Sequence, residues 1–171
     1  MLGSEASNYT DRMLAENSAT DSYQNLLFSI LLFRHHRLRY PKHITIVSHD
    51  FKKSRFLDLH CKAIEWPRGQ VTYVGIDPPP DVTPRNVLDE GEARAVNAWK
   101  IDPYGAGHEL SSKRAKRGWQ PDSAEMVWIR SSGVLESEVK ELLAYDGGSD
   151  GNAMFAKPLP WTVFGGPCGA P

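Results

Sequence analysis

From Tyr23 to Phe33 the chain reads YQNLLFSILLF, apolar at almost every position after Asn25. This run predicts a helix that begins near Ser18 to Asp21 and continues to about Arg37. Between Leu26 and Phe33 only Ser29 interrupts it, so most of the circumference is apolar. Such a helix is covered on most sides, as in a layer of a sheet-and-helix sandwich. His35, His36, Arg37 and Arg39 place positive charge at its C-terminal end, as the helix dipole favours, and Pro41 prevents continuation. His43 to Val47 (HITIV) is short, β-branched and continuous, the pattern of a parallel strand buried on both faces. Phe51 to Trp66 returns to helical spacing and stops at Pro67-Arg68-Gly69. Val71 to Ile76 (VTYVGI) predicts a second strand, ended by Asp77 and three prolines. The strand-helix-strand unit predicts a right-handed parallel crossover.

The pattern elsewhere is sparser. Ser4 to about Asn17 predicts a short helix, Asp89 to Lys100 an amphipathic one, and Val134 to Leu143 another. Asp102-Pro103-Tyr104-Gly105 is a turn, and Leu110 to Arg117 a short basic segment. From Asp146 onward Gly, Pro and Ala dominate, with Trp161 and Phe164 available to pin the tail down. The expected organisation is one partial domain over 1–145 and an irregular tail over 146–171. Two parallel strands cannot cover their own faces and edges. Either further strands escape the pattern, or the chain is a fragment of a larger domain, truncated at its N-terminus.

Composition narrows the class. The chain has 171 residues, 40% of them hydrophobic, and a formal net charge of −1. That suits one domain with a modest core and provides no overall field for nucleic acid or anionic membrane. The expectation is therefore no nucleic-acid partner and no membrane. The most apolar run covers about eight residues where a membrane span needs about twenty. The polar N-terminus does not read as a secretory signal, so a cytoplasmic location is expected. Cys61 and Cys168 form no disulfide framework, and the six histidines show no metal-ligand spacing. There is no Walker loop, no G-x-G-x-x-G and no nucleophile elbow. KRAKR at Lys113 to Arg117 fits a localisation signal or polyanion patch, or, as such runs more commonly do, a solvated face.

Candidate chemistry gathers at two helix starts. Asp21, Ser22 and Asn25 lie at i, i+4 and i, i+3 spacing and share a face. They could hydrogen-bond a ribose, phosphate or amino-acid group. Capping explains Asp21 and Gln24 without a ligand, but does not require Asn25. Ser48, Lys52 and Arg55 follow the carboxyl end of the first strand, where open parallel sheets bind ligands. Lys52, Lys53 and Arg55 in a first helical turn oppose its dipole. A bound anion, or the carboxylates of Glu16 and Asp21, would compensate. A solvated basic turn is the alternative. His60, five residues beyond Arg55 and flanked by leucine and cysteine, reads as a packed core histidine on a different helical face.

The pattern E-x-x-A-x-D-S-x-Q-N-L-L-F-S at Glu16, Ala19, Asp21, Ser22, Gln24 and Asn25, followed by FKKSRF with His60 beyond it, resembles the domain of unknown function 218 family in its fungal branch. DPYG at Asp102, the segment at Leu110, Lys113 and Arg114, and PLPW at Trp161 resemble it too. Bacterial relatives include YdcF- and SanA-like proteins. The resemblance implies a Rossmann-like parallel sheet with flanking helices, an α/β fold whose first strands and glycine-rich turns would precede Ser4. In bacterial members a histidine stands where Lys52 stands here. The family implies a nucleotide-like or phosphorylated small-molecule ligand, with S-adenosylmethionine one candidate, more than it implies a reaction. The expected ligand-binding set is Glu16, Asp21, Ser22, Asn25, Ser48, Lys52 and Arg55, with Glu16 and Asp21 orienting hydroxyl or amine groups and Lys52 and Arg55 neutralising an anion. The alternative is a non-catalytic remnant or protein-interaction module.

Three structural expectations follow. The Asp21 cluster and the Lys52 turn should converge. An unpaired strand edge should promote self-association. Arg55 should be replaceable by Lys or Met at little cost in stability.

Overall fold

The computed structural model describes residues 12–79, 81–131 and 133–163. Most of the helix expected between Ser4 and Asn17 lies outside these residues, as do Phe164 and Cys168; residues 13–17 form no helix. The first long element is α1 (Ser22–Arg37), with Asp21 as its N-cap accepting the Gln24 amide at 2.8 Å. Gln24 reaches back with its own Oε1 to accept the Thr20 amide at 2.9 Å. The start of α1 is thus closed by side chains on either side of Asp21, a variant of the reciprocal capping arrangement. The helix ends on Leu38 in the left-handed conformation (φ 55°). Tyr23, Leu26, Leu27, Phe28, Ile30, Leu31 and Leu32 are all buried, so α1 is enclosed as its sequence predicts.

Strand β1 (Ile44–Ser48) pairs in parallel with β2 (Val71–Gly75), in register Ile44↔Val71 through Ser48↔Gly75. The protein is therefore a mixed α/β structure with a small two-stranded parallel sheet and flanking helices. The expectation that HITIV is buried on both faces is corrected. Ile44, Ile46, Val71 and Tyr73 pack against the core, whereas Thr45, Val47, Thr72 and Val74 face outward, with Val47 64% exposed. A continuous β-branched run looks the same whether or not a second layer covers it; here helices cover one side among the described residues.

Between the strands the chain is helical but not uniformly so. A 3-10 turn (Asp50–Lys52) leads into a π-helical segment (Arg55–His60) and then a short α turn, α2 (Cys61–Ala63). The 3-10 turn sits directly over the end of β2. A Cβ on Gly75 would collide with the backbone and side chain of Asp50, which is why glycine ends that strand.

The second half adds α3 (Arg85–Ile101), α4 (His108–Lys116), α5 (Ala124–Ser131), α6 (Ser137–Ala144) and α7 (Pro160–Val163). Helix α3 is longer than its sequence pattern indicated, and α5 and α7 were not anticipated. The backbone after Asp146 is largely irregular up to α7, yet Phe155, Leu159 and Trp161 belong to the core. Trp161 donates its indole N–H to the Ile64 carbonyl at 2.7 Å, and Tyr104 accepts the Phe155 amide at 2.7 Å while donating to the Ala63 carbonyl. These bonds fasten the last described segment to the turn that follows the π-helical segment. Among the described residues no helix is long and apolar enough to cross a membrane.

Candidate functional site

An open cavity of about 760 Å³ lies where the start of α1, the end of β1, the 3-10 and π-helical turns, α3 and α4 meet. Of the seven residues expected to bind a ligand, Asp21, Ser22, Asn25, Ser48, Lys52 and Arg55 line it. The two clusters that the sequence placed at separate helix starts thus share one space: the start of α1, which precedes β1 in the chain, meets the turns that follow β1. Glu16 does not line the cavity. Its Oε1 accepts the Ser18 and Ala19 amides at 2.7 and 3.0 Å, closing a turn before α1. Burial, with Glu125 adding repulsion, raises its carboxyl above the usual range against the pull of those two amides.

The charge pairing differs from the expected one. Glu16 and Asp21 do not neutralise Lys52 and Arg55. Asp21 Oδ2 instead accepts from Arg114 Nε at 2.5 Å, and Arg55 Nη2 meets Glu92 Oε2 at 2.8 Å. Both pairs are well covered, with side-chain exposures of 12% and 9% for Arg114 and Asp21, and 13% and 10% for Arg55 and Glu92. Burial raises the Glu92 carboxyl despite the opposing pull of Arg55 and Lys52, and lowers the Arg55 guanidinium despite Glu92. Desolvation therefore outweighs attraction on both partners. Arg114 is further fixed by donating to the Tyr104 carbonyl at 2.8 Å over the DPYG turn. Gly105 (φ 66°) is needed there, since a Cβ would strike the Arg114 guanidinium.

Sequence reasoning missed the α3 and α4 contributions: Arg94, Lys113, Arg114 and Arg117 line the cavity beside Gly91, Ala95 and Trp99. A signal for the last three cations existed in KRAKR, which reads equally as a solvated face. Nothing local marks Arg94 or Glu92, which reach the cavity by long-range packing. With Lys52 and Arg55, six cationic side chains line the cavity, against Asp21, Glu109 and the Glu92 partner of Arg55. Three of the cations, Arg55, Arg114 and Lys113, are taken by those carboxylates. Lys52, Arg94 and Arg117 make no ion pair among the described residues. Burial and the neighbouring Arg55 lower the Lys52 ammonium, as expected of a cation without its own counter-ion.

His60 is the packed core histidine that the sequence indicated, with no exposed surface. It is turned into the core while Arg55 lines the cavity, as expected of two different faces; the wider π turn (i→i+5) reduces the angle between them relative to an α-helix. His60 Nε2 lies 2.8 Å from Ser22 Oγ. No group of three or more His, Cys, Asp or Glu among the described residues is arranged to hold a metal.

Over 117 residues, 64% of the chain, the sequence is 40% identical to the uncharacterised protein YOR238W of Saccharomyces cerevisiae. The match covers 39% of that protein, so the chain spans well under half the length of this curated relative. No family model matches the chain, and no solved structure matches it.

Proposed function

We propose that this chain binds a nucleotide-like or phosphorylated small molecule in the cavity at the end of its parallel strands. The observation that carries the reading is the surplus of positive charge there: six cations converge against three carboxylates, leaving Lys52, Arg94 and Arg117 without ion-pair partners among the described residues. Lys52 is partly buried and repelled by Arg55 and Arg117, a placement that a bound anion relieves, while Arg94 and Arg117 are exposed at the cavity and can reach that anion. The start of α1 adds the positive end of its dipole. Lys52, Arg94 and Arg117 neutralise the ligand's charge. Arg55 and Arg114, held by Glu92 and Asp21, present fixed donors. Ser22, Asn25 and Ser48 supply neutral hydrogen bonds. The resemblance to the domain of unknown function 218 family supports the same ligand class and a Rossmann-like ancestry for the sheet. Of the ligands it implies, S-adenosylmethionine carries a net positive charge and suits this cavity less than a phosphate ester does.

Thermal shift with inorganic phosphate, adenosine monophosphate and S-adenosylmethionine tests the reading. A ligand present at a hundred times its Kd stabilises by about 2.7 kcal/mol, a readily visible shift. The two phosphates are expected to raise the melting temperature, and Lys52→Met with Arg94→Met to abolish the rise. No shift with either phosphate overturns the proposal.

A second reading, a protein-interaction module, is favoured by the outer sheet face, where Val47 and Val74 stand exposed beside one another in register. Self-association through that face or the adjoining edge would appear in sedimentation velocity and be suppressed by Val47→Lys. A concentration-independent monomer before and after the substitution removes that route.

A further inference from the structure

We infer that His60 is a positioning residue of this cavity: its neutral imidazole donates Nε2–H to Ser22 Oγ, leaving the Ser22 hydroxyl proton to point at an anionic oxygen of the ligand. The inference rests on the anion-binding reading above and assigns a role to a side chain that does not itself reach the cavity. Ser22 is the first residue of α1 and lies on the cavity wall, while His60 stands directly behind it. Around the imidazole are the rings of Trp99 at 4.6 Å, Phe56 at 5.6 Å and Tyr23 at 5.9 Å, each steeply inclined to it. Within this aromatic cage Nδ1 is buried and has no hydrogen-bond partner among the described residues.

Three protonation states are possible, and the surroundings separate them. The imidazolium would place a charge in a dry cage with Arg55 and Arg114 nearby; burial first, and those two guanidiniums next, hold the imidazole well below its usual range. The Nδ1–H tautomer would let Nε2 accept the Ser22 proton but would leave an N–H donor orphaned among aromatic rings. Orphaned buried N–H groups are rarer in folded proteins than under-satisfied acceptors. The Nε2–H tautomer leaves only a lone pair unpartnered. It is the state with the smallest penalty, and it fixes the direction of the Ser22 hydroxyl. Oγ accepts from His60, so its own proton points elsewhere, and the open direction is the cavity. The same reasoning explains why the pair is not a nucleophile with its base. Moving the serine proton to His60 would create the buried imidazolium that the cage and the two arginines disfavour.

The test combines spectroscopy with binding. Long-range proton–nitrogen correlation NMR at neutral pH is expected to show His60 protonated at Nε2 and bare at Nδ1. An Nδ1–H tautomer or an imidazolium overturns the inference. Calorimetric titration with inorganic phosphate supplies the functional readout. Ser22→Ala is expected to weaken binding by about tenfold or more, the loss typical of one hydrogen bond to a charged group. His60→Gln, whose amide N–H2 occupies the Nε2 region, should stay within about threefold of the parent, whereas His60→Leu should match Ser22→Ala. Affinity unchanged in Ser22→Ala, or in a folded His60→Leu, overturns the inference. Should His60→Leu not fold, Ser22→Ala and His60→Gln carry the comparison. Parent protein that does not bind phosphate overturns the anion-binding reading and the ligand-facing half of this one. The NMR result decides the His60 tautomer in either case.

Discussion

Arg55 and Glu92 show how a residue's role changes once its partner is known. Read from sequence, Arg55 is a ligand-facing cation that Met could replace at little cost. In the structure it covers a buried carboxylate at 2.8 Å, and losing it leaves that charge uncompensated. Arg55→Met is therefore expected to destabilise by about 3–5 kcal/mol, and Arg55→Met combined with Glu92→Met to recover most of the loss. Urea denaturation of the two single variants and the double variant measures this, and an additive double variant would show that the two side chains act independently. Glu16 offers a pH test at the same scale. Its carboxyl is raised by burial first, so it holds a proton more readily folded than unfolded. Its contribution is fully present below the unfolded value of about 4.3 and is lost as pH rises through the higher folded value. Glu16→Gln should consequently be the more stable protein at pH 7, with the difference shrinking on acidification to about pH 4. A difference that grows on acidification has the wrong sign for this account.

At the scale of the element, α3 carries a feature that propensity alone does not explain. Gly91 sits inside this helix, lines the cavity, and would meet nothing within 4 Å if it carried a Cβ. Glycine in a helix interior costs roughly 0.5–1 kcal/mol relative to alanine, so space is being kept at the expense of stability. Gly91→Ala should raise stability by about that amount, while phosphate binding weakens if the ligand lies against α3. A gain in stability with unchanged affinity would place the ligand nearer α1 and the Lys52 turn. The π-helical segment is the other element whose geometry matters. The wider turn brings Arg55 on the cavity wall and His60 in the aromatic core closer in angle than ordinary helical spacing would.

For the whole molecule, the described part of the region expected to be an irregular tail is structural. Trp161 is 1% exposed, packs edge-on against Tyr40 at 5.1 Å, and donates to the Ile64 carbonyl. Trp161→Ala should cost about 3–5 kcal/mol, the range for deleting a large buried aromatic. A loss below about 1 kcal/mol, the level of an ordinary surface change, would mean that residues 146–163 pack only loosely. The outer sheet face contrasts with this closure. Residues Val47 and Val74 are held side by side by the strand register but have no covering layer among the described residues.

What sequence alone determined is what depends on near neighbours. The apolar run of α1, Asp21 as its cap, the stop at Pro41 and the order of helix, strand, helix and strand all follow from side chains within a few residues of one another. Six of the seven residues expected at a site were legible because each sits at a helix start or strand end that local pattern can locate. Tertiary structure alone decided which charges meet. Asp21 pairs with Arg114 and Arg55 with Glu92 at sequence separations of 93 and 37, and no spacing rule reaches that far. It also decided that HITIV is bare on one side among the described residues, since a β-branched strand carries no record of how many layers cover it. It decided the π turn that brings His60 behind Ser22. Each of these depends on packing between distant segments, where the energy of a contact is set by what arrives opposite.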